Sequence, residues 1–194
     1  MNMQVGVLAL QGAFAAHSDC LTSIGVQSIE VRTPEQLSSV DALLMPGGES
    51  STMSQLLESS GLFDPIAQRI ADGMPVFGTC AGMILLASEI LDGRSDQRSF
   101  SAIDISARRN AFGRQVDSFE ATINSSVGEF HGVFIRAPRI ERVGDQVEVL
   151  GSINDEPVLV RQGNVLAASF HPELSNDARL HEYFVSITAN KKKV

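Results

Sequence analysis

The sequence predicts an α/β protein: a three-layer, doubly wound, mostly parallel sheet flanked by helices, with antiparallel or mixed strands added in its C-terminal half. Three observations carry this reading. Short apolar runs alternate with helical patterns through residues 3–90, which implies right-handed crossovers between parallel strands. Several of these runs are continuously apolar, as strands covered on both faces require. After residue 91 that alternation stops, and short β-like runs follow one another.

Taken in order, residues 3–10 form the first run, which Gln11-Gly12 ends. From 13 to 24, Phe14, Leu21 and Ile24 fall at helical spacing, and Gly25 closes the helix where a left-handed cap is wanted. Residues 26–32 read as a second strand, and Pro34 opens a short helical turn. Residues 42–45 are a third, buried strand ending in Pro46-Gly47-Gly48-Glu49-Ser50-Ser51-Thr52. Helical patterns at 52–59 and 62–71 are each closed by a glycine, Gly61 and Gly73. A fourth strand, 74–79, then runs through Cys80 into a helical pattern at 83–90. Residues 91–100, LDGRSDQRSF, are polar and predict a mobile loop. Strand-like runs follow at 102–105, 118–123, 133–135, 147–150, 158–161 and 165–170. An amphipathic helix over 178–189 ends the pattern, with Leu180, Tyr183, Phe184 and Ile187 on its apolar face. No linker interrupts the chain, so one domain over residues 1–190 is expected, followed by a disordered basic tail at 191–194.

The 194 residues are 43% hydrophobic and 20% charged, ordinary for a globular protein with a sizeable core. A net charge of -8 argues against nucleic acid as a main partner, and no apolar stretch approaches membrane-spanning length. Cys20 and Cys80 lie on separate elements with neither disulfide-framework nor zinc-site spacing, and no signal-cleavage pattern opens the chain. A reducing, cytoplasmic setting is expected, and nothing calls for a metal or a cofactor.

The stretch Met74-Pro75-Val76-Phe77-Gly78-Thr79-Cys80-Ala81-Gly82 has the grammar of a nucleophile elbow. A sharp strand-to-helix turn crowds the positions two before and two after the nucleophile, and Gly78 and Gly82 occupy both. Such a cysteine needs a base within hydrogen-bond reach and a third group to orient that base. His17 and His181 fall on helices and read as packing or surface residues, while His131 in GEFHGVF has no acid two residues after it. His171 ends the run 165–170 and precedes Pro172 and Glu173; in extended chain, residues i and i+2 project to one side, so imidazole and carboxylate can meet. Acyl chemistry also needs donors for an oxyanion, which the N–H of Ala81 and that of Gly48 can supply.

GTCAG, PGGES and HPE, at this order and spacing, resemble the triad class of glutamine amidotransferases. LALQGAFAAH at 8–17, RRNAFGRQVDSFE at 108–120 and VFIRAP at 133–138 narrow the resemblance to glutaminase subunits of the two-component pyridoxal 5'-phosphate synthases, over essentially the whole chain. That resemblance implies hydrolysis of L-glutamine to glutamate and ammonia, with ammonia passed to a separate synthase subunit in vitamin B6 biosynthesis. It makes Cys80 the nucleophile, His171 the general base and then acid, and Glu173 its orienting partner. It also implies that Gly48, Glu49, Ser50, Arg109, Ile135 and Arg136 contact glutamine, and that Gln11 and Gly12 couple the site to the synthase. The polar 91–102 segment and Ser51 depart from the family pattern without removing a catalytic group. A glutaminase subunit of another amidotransferase pathway and a non-catalytic partner-binding module are the rival readings.

Overall fold

The structure, a computed structural model, describes residues 3–109 and 118–191. The middle of the RRNAFGRQVDSFE stretch and residues 192–194 of the expected tail lie outside the described residues.

Among the described residues, nine strands form one mixed sheet. In chain order the strands are β1 (Gln4–Leu8), β2 (Gln27–Val31), β3 (Ala42–Met45), β4 (Val76–Thr79), β7 (Phe119–Ser125), β8 (Phe130–Phe134), β10 (Glu148–Ile153), β11 (Glu156–Gln162) and β12 (Val165–Ala168), and their order across the sheet is β2-β1-β3-β4-β12-β11-β10-β7-β8. The pairs from β2 through to β12 are parallel, and those beyond β12 are antiparallel. A smaller sheet pairs β5 (Ala87–Ile90) with β6 (Ile103–Arg108) and β6 with β9 (Arg139–Val143).

Strand alternation sorts the apolar side chains onto two faces. Ala42, Leu44 and Phe77 join Leu21 of α1 (Phe14–Ser23) and Leu180 and Phe184 of α6 (Arg179–Lys191) in one core cluster. Leu43, Met45 and Val76 join the second cluster, built from α2 (Pro34–Ser38), α3 (Ser50–Ser59), α4 (Phe63–Ala71), α5 (Ala81–Leu86) and the small sheet. A fully buried side chain such as Phe77 contributes roughly 1.5–3 kcal/mol through burial.

Local chemistry sets several boundaries. Thr33 caps α2 with a complete capping box to Gln36, and Pro34 takes the first-turn position that lacks a use for an N–H. Glu49 caps α3 by accepting from the backbone of Ser51 and Thr52.

The helix after Cys80 is shorter than its apolar pattern predicts. It ends at Leu86, and residues 87–90 turn into β5, where the chain pairs with β6 and Leu91 donates to the Ala107 carbonyl. Tertiary strand pairing has overridden a local helical pattern. The Arg139–Val143 strand also escaped the pattern, being largely charged. The polar 91–100 segment is a pinned strap, contrary to the mobile loop expected. Arg98 pairs with Glu58 and Asp64 and lies over Phe63, Phe100 stacks on Phe63, and the Phe100 N–H donates to the Leu85 carbonyl.

Candidate active site

Three parallel strands, β3, β4 and β12, deliver their carboxyl ends to one place. β4 runs into the turn at Cys80, whose backbone is held at φ 50°, ψ -105°. A non-glycine residue there is strained, and surrounding structure must hold it. It does: the Cys80 N–H donates to the Ala168 carbonyl at the end of β12, and Gly78 and Gly82 let the turn close. A Cβ on Gly78 would stand 2.6 Å from the Gly82 carbonyl carbon, and one on Gly82 would run into the Met45 carbonyl oxygen. Both glycines are therefore required by close approach.

The Gly47-Gly48 pair at the end of β3 has a related cause. A Cβ on Gly47 would collide with the His171 ring and lie 3.3 Å from the Cys80 Cβ, so Gly47 is the spacer between Cys80 and His171. Beside Gly48, Gln11 Oε1 accepts the Glu49 N–H at 3.1 Å. Gly12, at φ 88°, presses against the Gly47 carbonyl, where a side chain would overlap it. Among the described residues, neither the Gly48 nor the Ala81 N–H has a hydrogen-bond acceptor.

His171 lies three residues beyond β12, opening the 3-10 turn Pro172–Leu174. Its N–H donates to the Val133 carbonyl of β8, which brings Ile135 and Arg136 to the same cleft. Its Nδ1 is 2.8 Å from Glu173 Oε1, and its ring shares the cleft with Cys80 across Gly47. Burial works against the charged imidazolium, yet the neighbouring Cys80 and Glu173 outweigh it and hold the His171 pKa up at about 10. Burial likewise opposes charge on Glu173, but the His171 hydrogen bond and the neighbouring His17 and His171 hold its carboxyl below the usual range.

The cleft, about 410 Å³, is lined by Cys80, His171, Gly12, Gly48, Glu49, Ser50, Arg109, Ile135 and Arg136. Glu173 does not line it; it is buried behind His171. Gln11 stands one layer back, gripping the Glu49 N–H. Arg109 is already committed, donating to Glu49 Oε1 at 2.7 Å and to Ser51 Oγ at 2.7 Å. Burial opposes charge on Glu49, but donation from Thr52 and Ser51 and the Arg109 charge bring its pKa down to about 2. Arg136, at φ 43°, has no ion-pair or hydrogen-bond partner among the described residues. Ala13, Ile84 and Leu174, which sequence reasoning did not single out, complete the wall.

His17 and His181, read from sequence as packing or surface residues, are fully buried against the back of the site. His17 falls on the α1 stripe 14, 17, 21, 24, the available sign that it faces the sheet. His131 pairs across β7 and β8 with Glu120 at 2.7 Å, an exposed pair away from the cleft.

A sequence model of the SNO glutamine amidotransferase family matches residues 7–190. The chain is 56% identical over 191 residues to the pyridoxal 5'-phosphate synthase subunit PdxT of Salinispora arenicola, covering 94% of this chain and 95% of that protein. It is 56% identical over 190 residues to the PdxT of Herpetosiphon aurantiacus, covering 95% of this chain and 100% of that protein. A crystal structure described as a glutamine amidotransferase superposes with a TM-score of 0.91 at 50% identity, over 95% of this chain and 98% of that one. The chain belongs to the SNO glutamine amidotransferase family.

Proposed function

We propose that the chain is the glutaminase subunit of a two-component pyridoxal 5'-phosphate synthase, with Cys80, His171 and Glu173 as its triad. The observation that carries this is the convergence of a strained cysteine turn and a histidine in one cleft, with a buried carboxylate 2.8 Å behind the histidine.

The Cys80 sulfur attacks the side-chain carbonyl carbon of L-glutamine, forming a C–S bond and an oxyanion that the Gly48 and Ala81 N–H groups receive. His171 holds its proton at neutral pH and gives it to the departing nitrogen as the C–N bond breaks, releasing ammonia. Water then attacks the γ-glutamyl thioester, its proton passing to His171, and glutamate leaves. Glu173 keeps the imidazole in register throughout.

For the zwitterionic end of the substrate, Arg136 is the guanidinium with capacity to hold the α-carboxylate, since Arg109 is tied to Glu49 and Ser51. Arg109 and Glu49 build the wall that Ser50 and Ile135 complete. Gln11 and Gly12, pressed on the Gly47-Gly48 loop, couple partner docking to the oxyanion donors. The partner is a separate synthase subunit that receives ammonia, and two free thiols fit a reducing cytoplasm. Among the described residues no helix is long and apolar enough to cross a membrane.

The test mixes the chain with a synthase subunit from a close relative, glutamine, a pentose phosphate and a triose phosphate. Glutamine-dependent pyridoxal 5'-phosphate, with hydrolysis stimulated by the partner, is expected. Product formed from added ammonia but not from glutamine overturns the assignment.

A further inference from the structure

We propose that His17 and His181 are positioning residues of the glutaminase site: the Nε2–H of His17 restrains the second carboxylate oxygen of Glu173, and His181 fixes the tautomer that lets it do so. The proposal rests on the triad reading above.

The geometry is a chain of four buried side chains behind the nucleophile. His171 Nδ1 meets Glu173 Oε1 at 2.8 Å, and His17 Nε2 stands 3.2 Å from Glu173 Oε2. His17 Nε2 is also 3.3 Å from Thr79 Oγ1, the residue before Cys80, and His17 Nδ1 is 2.9 Å from His181 Nε2. Helices α1 and α6 thus meet through two imidazoles directly behind the elbow. Among the described residues, Glu173 Oε2 has no well-aligned hydrogen bond, and neither has His181 Nδ1.

Hydrogen-bond bookkeeping decides where the protons sit. Glu173 is ionised and its oxygens only accept. A bare His17 Nε2 at 3.2 Å would set a lone pair against a carboxylate, so Nε2 carries the hydrogen. Burial pushes His17 down to about 4, with Glu173 pulling it partly back, so the ring is neutral and its Nδ1 is bare. His181, pushed by burial and by His17 to about 3, is neutral as well and must donate its Nε2–H to that Nδ1. What remains unpartnered is a bare His181 Nδ1, which costs less than a buried orphan N–H. The opposite arrangement fails twice, with a lone pair facing the carboxylate and an N–H buried without an acceptor.

The other titratable neighbours are Cys20 on α1, which lies against the Glu173 carbonyl, and His171, together with Asp177 ahead of α6. None replaces His17 at Oε2. With Oε1 hydrogen-bonded to His171 and Oε2 packed 3.2 Å from His17 Nε2, the carboxylate has little room to rotate away, so the effect of His17 reaches the chemistry through the imidazole that Glu173 steadies.

Two measurements on the full chain test this. Proton–nitrogen correlation spectra of the unaltered protein at pH 6 to 8 should show His17 and His181 neutral and both in the Nε2–H tautomer; an Nδ1–H on His17 overturns the proposal and needs no variant. In glutamine hydrolysis, His17→Leu should lower kcat by about tenfold or more with KM unchanged, and His17→Gln, which keeps a donor near the Nε2 position, should restore most of it. Unchanged kcat in His17→Leu, or equal loss in both variants, overturns the role. Glu173→Gln in parallel separates the two levels. If it turns over at the unaltered rate, the triad reading falls; if it is slow while His17→Leu is not, only the role of the two histidines does.

Discussion

Glu173 has histidine on both sides, and the two sides are in opposite states. On the cleft side His171 holds its proton up to about 10, because the neighbouring Cys80 and Glu173 both favour its charged form over the burial that opposes it. On the core side burial drives His17 to about 4 and His181 to about 3, and Glu173 recovers only part of that loss. Burial opposes the charge in all three. The difference is a second negative or acceptor group: His171 has the cysteine as well as the carboxylate, while His17 has the carboxylate on one side and the neutral His181 imidazole on the other. One carboxylate can thus stand between an imidazolium in front and a neutral imidazole behind, the contrast on which the proposed proton-transfer and positioning roles rest.

The strongest way to break this contrast is Cys80→Ala. Glutamine hydrolysis should fall by at least about 10⁴-fold, and the His171 pKa should move down toward its ordinary value while His17 and His181 stay neutral. Ammonia release and a proton titration of the histidines measure both. Glu173→Gln removes the shared carboxylate; the rate should drop on the order of 10²–10⁴-fold, His171 should titrate lower, and His17 should fall further because its one attractive charge is gone. A rise in His17 would contradict the account.

Gly82→Ala acts on the distance between Cys80 and His171. Its methyl runs into the Met45 carbonyl, so denaturant unfolding should show a loss of about 1–3 kcal/mol, and Cys80 should leave its place beside His171.

The pH dependence of stability sharpens the comparison most finely. His171 is raised, so its contribution is complete below pH 6.5 and is lost as pH rises through about 10. His17 and His181 are depressed, so the unfolded chain takes up protons between pH 6.5 and about 4 that the folded chain refuses, and stability falls as pH falls. His181→Gln should flatten only the acid limb and Cys80→Ala only the alkaline limb; urea midpoints from pH 4 to 10 would show whether the limbs separate in this way.

Much of the site is legible in the residues themselves. The glycines around Cys80, the strand ends, and the His-Pro-Glu spacing are local signals, because steric closure of a turn and the i, i+2 geometry of extended chain act over a few residues. The strap at 91–100 is not legible in that way, since its anchors, Glu58, Asp64 and Phe63, lie some thirty to forty residues away and a polar sequence reads as unattached. The same holds for β5, where pairing with β6 overruled the helical pattern of residues 87–90.

Residue type at short spacing is enough to specify the elbow, the three motifs, the parallel half of the sheet and the family. Which guanidinium is engaged depends on the folded chain, since Arg109 meets Glu49 from 60 residues away. So does the meeting of His17 with His181 across 164 residues, because two helices at opposite ends of the chain pack on one face of the sheet behind Cys80. Those contacts carry no local pattern; they exist because the sheet brings β3, β4 and β12 side by side.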